Sequence, residues 1–402
     1  MEASSYIPLT FFERHFAASL KPIYAVSFYL ECAAPPVDFL RQRVADIVQL
    51  NPWLVSSMVD HPEAGIADQL CFPSNGPWPD CFHVVTSGSC GLSAQAPYGE
   101  IAECVVHACE NTRGPAELCA AGFRVVMVSE LAADGIALIM KLSHVFGDGA
   151  TFYKLFNMMS VDAVAVSLLR SPIEEFTCCE KAALGADEQY FMTAGDVCTG
   201  FRVNEKASAS VHAFAIDMEA VACAKSCALG AHPEVNALSS NDIITAAFLQ
   251  ASQCSWAVMP VDLRHRLECL RGLQSFLAGN YANEIVLLPT DFSSPVGIRS
   301  VVESLRRGKS TPLPSIEMQQ SGDVSCVTNV GTFAAERGVQ LPGCTLSLHL
   351  PMRPLPLIWR DIAYIFRPRP HTLGIICAGH GLSCSETSLR QSAIGKFLGP
   401  RL

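Results

Sequence analysis

The sequence predicts an α/β protein built of α+β layers, in two units that each carry a mixed sheet with flanking helices. The chain has 402 residues, which is more than a single hydrophobic core usually holds. Helix and strand patterns mix without the strict strand–helix–strand succession of a doubly wound sheet. The pattern weakens between residues 170 and 210, so we expect a first unit at 1–180, a crossover at 181–210 and a second unit at 211–402.

The composition limits the classes of function. Half of the residues are hydrophobic, and 16% are charged, against roughly 25% in an average soluble domain. The net charge of −10 without clustered Lys or Arg argues against a nucleic-acid partner. The N-terminus lacks the pattern of a secretory signal, and no apolar run reaches the ~18 residues of a membrane span. We expect a soluble, cytoplasmic monomer.

The chain contains eighteen cysteines, but their spacing does not resemble a disulfide framework or a metal site. Cys223 and Cys227 are four residues apart, and Cys178 and Cys179 are adjacent. Neither arrangement is a zinc ribbon or a CxxC redox motif. We expect the cysteines to be small buried residues in a reducing compartment, and we expect no metal.

In the first half, apolar residues at helical spacing predict helices at 10–20, 36–50 and 150–160. A short strand is predicted at 81–86 inside a loop-rich stretch at 66–99. The β-branched runs 123–129 and 136–142 flank the turn residues Ala132-Ala-Asp-Gly135, which predicts a hairpin whose second arm ends at His144.

The second half shows further strand and helix patterns. Helices are predicted at 217–228, 297–307 and 386–397, and another is capped by Ser239-Ser-Asn-Asp242 and extends to 252. Apolar and β-branched runs predict strands at 211–216, 257–261, 285–288, 324–329, 345–350 and 371–378.

The stretch Lys141-Leu-Ser-His-Val-Phe-Gly-Asp-Gly149 carries the candidate chemistry. The imidazole of His144, at the end of a strand, can take a proton from an alcohol or an amine and give it back. Asp148 either orients His144 directly or points away and holds the loop by an ion pair. Gly147 and Gly149 let the backbone turn sharply and approach a ligand.

This stretch resembles the HxxxDG signature of the chloramphenicol-acetyltransferase-like superfamily, which includes the BAHD acyltransferases and the condensation domains of peptide synthetases. Other segments resemble the same superfamily in the expected order: Leu9-Thr-Phe-Phe-Glu13, Leu50-Asn-Pro-Trp-Leu54, Ser239-Ser-Asn-Asp242, Asp262-Leu-Arg-His-Arg266 with Gly279-Asn280, and Val327-Thr-Asn-Val-Gly331. The resemblance implies two chloramphenicol-acetyltransferase-like domains with a channel between them.

The resemblance also implies roles for residues. His144 is then the general base, and Asp148 is mainly structural, with Arg264 as its partner and Arg266 as the second choice. Thr328 and Asn329 are candidate donors to the developing oxyanion. Asn280 either fixes the strand geometry or faces the channel, and Gly149 is a further channel candidate. Without the resemblance, the charged residues at 262–266 suit a solvated turn, and Thr328 and Asn329 suit an edge strand.

The activity implied is transfer of an acyl group from acyl-CoA, a co-substrate, to the hydroxyl or amine of a small-molecule acceptor, with no bound cofactor. The sequence departs from the plant members, because it has no D-F-G-W-G motif. It also has no carrier or adenylation motif, which argues against a modular condensation enzyme. Two alternatives are a non-catalytic binding or regulatory protein of the same fold, and a hydrolase that uses Ser143, although Ser143 lacks the G-x-S-x-G context.

Overall fold

The structure is a computed structural model of the whole chain. It describes residues 4–10, 13–14, 22–32, 34–60, 67–110, 122–132, 135–170, 175–184, 210–306, 314–321, 323–352, 359–379 and 385–402. The description that follows concerns these residues.

Fifteen strands within the described residues form three sheets. They are β1 Ser4–Pro8, β2 Pro22–Leu30, β3 Ser57–Asp60, β4 Ala67–Pro73, β5 Phe82–Thr86, β6 Phe123–Leu131, β7 Gly135–Ser143, β8 Ser210–Ile216, β9 Trp256–Asp262, β10 Ala282–Leu287, β11 Val324–Asn329, β12 Thr345–Met352, β13 Asp361–Phe366, β14 Gly374–Gly379 and β15 Leu398–Arg401.

The helices of the described residues flank these sheets. They are α1 Val37–Leu50, α2 Ser87–Cys90, α3 Tyr98–Glu110, α4 Gly149–Asn157, α5 Phe176–Leu184, α6 Met218–Ala231, α7 Ser240–Ser252, α8 Pro289–Phe292, α9 Pro295–Arg306, α10 Ile316–Gln320 and α11 Glu386–Gln391. Short 3-10 turns occur at Pro52–Val55, Glu268–Leu270 and Gly395–Phe397.

The first large sheet has five strands in the order β12-β2-β7-β6-β5. Strands β5 and β6 are parallel, and the other neighbours are antiparallel. Strands β6 and β7 form the predicted hairpin, whose second arm leads into His144. The edge strand β12 comes from the second half of the chain and pairs with β2, Leu350 opposite Val26. The second half therefore contributes one strand to the first sheet. The division of the chain into two units at a crossover at 181–210 stays a prediction.

The second large sheet has seven strands in the order β10-β9-β11-β13-β14-β8-β15. Its centre is parallel, because β11 pairs in parallel with both β9 and β13, and its remaining pairs are antiparallel. Both large sheets are thus mixed, which confirms the predicted α/β architecture of sheet-bearing bodies with flanking helices. A small three-stranded sheet of β1, β4 and β3 completes the fold.

The large sheets are buried on both faces, which explains their near-continuous apolar sequences. Along β2, Tyr24, Val26 and Phe28 face one hydrophobic cluster, while Ala25 and Tyr29 face another. The first of these clusters also contains Phe366 and Ile376 of the second sheet. Alternating side chains therefore join the two sheets on one face and support α1 and α4 on the other.

Some sequence predictions differ from the structure. The predicted C-terminal helix ends at Gln391 and is followed by a 3-10 turn, because Ser392 caps the helix in extended conformation. The predicted helix at 10–20 lies mostly outside the described residues. Strand β13 was not predicted, and neither was helix α3, although α3 buries Ile101 and Val105 at helical spacing.

The prediction of buried cysteines is only partly right. Cys254, Cys326 and Cys377 are buried, but Cys178, Cys223 and Cys227 are exposed. The last two are on α6, whose only fully buried side chain is Val221, so this helix turns most of its surface to solvent. Within the described residues, no group of three or more His, Cys, Asp or Glu is placed to hold a metal ion. No helix in the described part of the chain has both the length and the apolar composition to cross a membrane.

Candidate functional site

The candidate site begins where β7 ends. His144 follows Ser143 directly and is half-buried. The chain bends after it, and Val145 and Phe146 in this bend are buried. The backbone N–H of Phe146 donates to the carbonyl of Ser143 at 2.9 Å, and the Phe146 ring packs edge-on against Trp53. The bend is therefore anchored by apolar packing, and it leaves His144 at the rim of the first sheet.

Asn280, from the second half of the chain, contacts the imidazole of His144. Its Oδ1 lies 3.1 Å from Nδ1 of His144, and its Nδ2 donates to the main-chain carbonyl of His144 at 2.8 Å. Asn280 is itself buried, and it lies two residues before the start of β10. The histidine of one half is thus held by an amide of the other half.

These contacts determine which ring nitrogen of His144 carries the proton. The Nδ2 of Asn280 faces two acceptors, the carbonyl of His144 and the Oε1 of Glu13 at 3.4 Å, so the amide cannot be flipped without opposing oxygens. Its Oδ1 therefore accepts a hydrogen bond from Nδ1–H of His144. In the neutral form of the ring, this arrangement leaves the lone pair on Nε2, as general-base catalysis requires.

Asp148 does not take part in the contact between His144 and Asn280, because its carboxylate accepts hydrogen bonds from other groups. It caps helix α4 by accepting from the backbone N–H of Thr151 at 3.0 Å. Arg264 donates to both of its oxygens, Nη1 to Oδ2 at 2.8 Å and Nη2 to Oδ1 at 3.0 Å. The backbone N–H of Tyr281 adds a third donor at 3.0 Å. Arg264, the partner that the resemblance implies, is therefore in contact with Asp148.

The burial of this pair has electrostatic consequences. Burial alone raises the pKa of Asp148, but the charge and hydrogen bonds of Arg264, with the N–H groups of Thr151 and Tyr281, lower the pKa below its usual value. Burial lowers the pKa of Arg264, and Asp148 and Asp262 more than reverse that effect. Both groups are therefore charged at neutral pH, and the pair is a fixed structural element.

Thr151 and Gly279 complete the contact between the two halves. The Thr151 hydroxyl donates to the carbonyl of Gly279 at 2.9 Å and accepts from its N–H at 3.1 Å. The N–H of Asp148 also donates to the carbonyl of Gly279, at 3.2 Å. The position of Thr151 also requires glycine at residue 147, since a Cβ there would lie 2.5 Å from Cβ of Thr151. Thr151 was missed by the sequence reasoning, because threonine in a helix has no distinctive signal.

The second residue missed from the sequence is Arg170, which is buried and lies after α4. Its Nε donates to the carbonyl of Phe146 at 3.1 Å and its Nη2 to that of Val145 at 3.0 Å. Its Nη2 also pairs with Glu13 at 2.9 Å. Arg170 therefore holds the bend between His144 and Asp148, and only long-range contacts, which sequence patterns do not encode, could identify it.

The other candidates lie at the end of β11. Gly149 approaches this strand end, since a Cβ on Gly149 would be 3.6 Å from Val330. Asn329 donates to Oδ1 of Asn241 at 3.0 Å and accepts from the N–H of Gly331 at 2.9 Å. Its amide therefore connects the turn after β11 with helix α7, which carries Asn241. Thr328 is half-buried next to it and pairs with Tyr364 in the sheet. Arg266 contacts the carbonyl of Asp262 at 3.2 Å.

Comparison with known proteins gives structural matches only. No protein-family model matches the sequence. A search of the curated proteins also finds no match. The TRI101 protein of F. sporotrichioides, in complex with coenzyme A and T-2, matches with a TM-score of 0.64 at 13% identity, over 98% of this chain and 99% of that chain.

Two further structures show the same likeness. Polyketide synthase associated protein 5 from Mycobacterium tuberculosis matches with a TM-score of 0.61 at 15% identity, over 98% of this chain and 97% of that chain. The first condensation domain of the CDA synthetase matches with a TM-score of 0.58 at 11% identity, over 93% and 90%. The likeness to all three extends over nearly the whole chain, so this chain has the fold that these three proteins share.

Proposed function

We propose that the protein is an acyltransferase that moves an acyl group from a CoA thioester to the hydroxyl or amine of a small molecule. The observation that carries this proposal is the contact between His144 and Asn280, which supports a proton on Nδ1 and a lone pair on Nε2 of the neutral ring. A neutral imidazole held in one tautomer, at a junction between two halves of a chain, is suited to proton transfer between two substrates.

The proposed reaction proceeds without a covalent acyl-enzyme. Nε2 of His144 takes the proton from the acceptor as its oxygen or nitrogen attacks the thioester carbonyl, and a tetrahedral intermediate forms. The C–S bond then breaks, and the imidazolium returns its proton to the leaving thiolate. The products are the acylated acceptor and free CoA, so atoms and charges balance.

Thr328 is the remaining candidate to stabilise the negative oxygen of that intermediate. It lies at the end of β11, close in sequence to Val330, which approaches Gly149. A single donor aimed at such an oxygen contributes about 2.7–4 kcal/mol in comparable sites. The Asn329 amide is engaged with Asn241 and Gly331, so we assign it a supporting role in the shape of this turn.

A CoA thioester is proposed as the donor because the TRI101 structure, which covers nearly the whole of this chain, holds coenzyme A. The same structure holds T-2, which supports a small-molecule acceptor. The test is a screen of acyl-CoA donors against panels of alcohols and amines, with release of free thiol as the signal. Wild-type protein should release thiol with at least one pair, and a His144→Ala variant should release none above background while keeping its fold.

The alternative, a binding or regulatory protein of the same fold, gives a different result. It predicts that coenzyme A or a small molecule binds, as measured by calorimetry, while no pair of substrates releases thiol. Equal thiol release by wild type and His144→Ala would also reject the proposed role of the histidine.

A further inference from the structure

Glu13 is a buried carboxylate to which the proposed reaction gives no role. Its side chain is 1% exposed, and its partner Arg170 is 3% exposed. A buried ion pair of this kind is costly to form unless its remaining hydrogen-bonding groups are satisfied. The partners of Glu13 therefore indicate what this pair does.

Those partners connect three distant parts of the chain. Oε1 of Glu13 accepts from Nη2 of Arg170 at 2.9 Å, from the backbone N–H of Asn280 at 3.2 Å and from Nδ2 of Asn280 at 3.4 Å. Its other oxygen, Oε2, accepts from the backbone N–H of Thr10 at 3.0 Å. One carboxylate oxygen thus binds both the main chain and the side chain of the residue that holds His144.

The backbone next to Asn280 is shaped around this carboxylate. Gly279 has φ +125°, and a Cβ there would lie 3.4 Å from Oε1 of Glu13 and 3.4 Å from Nη1 of Arg170. The left-handed conformation and the absence of a side chain let the ion pair reach Asn280. The conformation of Gly279 therefore permits the close approach of Glu13 to Asn280.

We propose that Glu13 is a positioning residue that fixes the tautomer of His144 through Asn280. The effect on the tautomer is independent of the proposed function, and only the effect on the rate rests on it. The Nδ2 group of Asn280 meets the carbonyl of His144 on one side and Glu13 on the other. Glu13 makes the flipped amide unfavourable by a second oxygen–oxygen contact. Without that oxygen, an amide flip would present N–H to Nδ1 of His144 and move the ring proton to Nε2.

The test combines tautomer and rate measurements on the full chain. In protein labelled with 15N-histidine, the His144 signals are assigned by their loss in His144→Gln, because the chain has eleven histidines. Wild type should show Nδ1 protonated and Nε2 unprotonated in the neutral form. Glu13→Leu should show a mixture of tautomers and a kcat about 10- to 100-fold lower, with KM changed less than about threefold, since small losses of alignment cost about that much.

Two variants separate this role from general support of the fold. Glu13→Gln keeps an oxygen towards Asn280, so it should retain the wild-type tautomer and most of kcat. Thr10→Val removes only the hydroxyl that accepts from the N–H of Glu13 at 3.3 Å, so it should behave as wild type. If Glu13→Leu fails to fold because Arg170 is left unpaired, Glu13→Leu/Arg170→Met takes its place. It is then compared with Glu13→Gln/Arg170→Met, which loses the same contacts of Arg170 with the carbonyls of Val145 and Phe146.

Three results would overturn the inference: an Nε2-protonated ring in the wild type, an unchanged tautomer in the folded leucine variant, or equal losses in Glu13→Gln and Glu13→Leu. Failure of the proposed function has a separate signature. In that case wild type releases no thiol with any substrate pair, while the tautomer measurements still decide the role of Glu13.

Discussion

Asp148 and Arg264 form a two-point ion pair across the junction of the two halves, with both carboxylate oxygens within 3.0 Å of guanidinium nitrogens. Arg264 also donates to the Thr151 hydroxyl at 3.0 Å and to the carbonyl of Gly279 at 2.9 Å. The aspartate of the HxxxDG stretch thus belongs to the contact between halves, and Asn280 takes the place beside the histidine that a triad would give to an acid.

Asp148→Asn should destabilise the protein strongly. The asparagine cannot balance the charge of Arg264, and breaking one side of a buried pair costs roughly 3–5 kcal/mol. Denaturation by urea, followed by circular dichroism, measures the loss in free energy of unfolding. The pKa of Asp148 is lowered in the fold, so its stabilisation is fully present above the usual carboxyl range. It is lost as the pH falls from that range to the lower pKa of the folded protein.

Asp262→Asn is the matched control, since Asp262 contacts the same Nη1 of Arg264 at 2.9 Å but is 14% exposed. We expect it to cost well under half as much, because Asp262 makes one contact with the guanidinium where Asp148 makes two, and because its side chain is not fully removed from solvent. Equal losses in the two variants would contradict the assignment of Asp148 as the main partner of Arg264.

Asn280→Ala should lower kcat far more than it lowers stability. Loss of the amide removes the acceptor from Nδ1–H of His144, so the ring samples the wrong tautomer and orientation, and about a 100-fold loss is expected. Asn283→Ala is the control, because Asn283 is equally buried nearby but donates to Glu180 at 2.8 Å. A control variant that lost as much kcat as Asn280→Ala would point to general damage.

Local patterns predicted most of the fold because they determine which faces of each element are buried. The runs at 123–129 and 136–142 predicted the hairpin that ends at His144. The cap predicted for α7 is also present, as a capping box of Ser239 and Asp242. The same patterns could not predict that β12 would join the first sheet. Its apolar residues suit the edge of either sheet, and the choice depends on packing between elements far apart in sequence.

The site was predictable to the extent that its residues lie in short motifs. His144 and Asp148 share one turn, and Arg264 and Asn280 lie in segments that resemble a known family. Thr151, Arg170 and the role of Glu13 depend on contacts between residues more than a hundred positions apart. No local spacing encodes such contacts, so the roles of these residues emerge only from the folded chain.

Gly279→Ala should disturb both the fold and the rate, and Gly272→Ala separates the two causes. Both glycines have positive φ, +125° and +82°, so each substitution strains the backbone by roughly 1–3 kcal/mol. A Cβ at residue 272 meets nothing within 4 Å, whereas one at 279 would crowd Tyr281, Arg170 and Glu13 at 3.3–3.4 Å. We expect Gly272→Ala to keep its kcat. Thermal melting and thiol release measure both effects, and a normal kcat in Gly279→Ala would contradict the crowding.

His349 should make the protein less stable in mild acid. The ring lies on β12, the strand that the second half of the chain adds to the first sheet, with Nδ1 2.9 Å from Ser27 Oγ and Nε2 2.9 Å from Tyr153 OH. Burial lowers the pKa of His349 from 6.5 to about 4. Between these pH values the unfolded chain binds a proton that the folded protein does not bind. The free energy of unfolding therefore falls as the pH decreases, by up to about 1.4 kcal/mol per pH unit and about 3 kcal/mol in total.

Urea denaturation at pH 7.5 and at pH 5.0 measures this contribution as a difference between variants. His349→Gln removes the titrating group, so the loss of stability between the two pH values should be smaller in this variant than in wild type by about 2 kcal/mol. His371→Gln is the control, because the His371 side chain is 70% exposed and solvated before and after unfolding. If His349→Gln and wild type lost the same stability on acidification, the buried ring would take up its proton in the folded protein at the same pH as in the unfolded chain. Its two hydrogen bonds would then have to be reassigned with both nitrogens as donors.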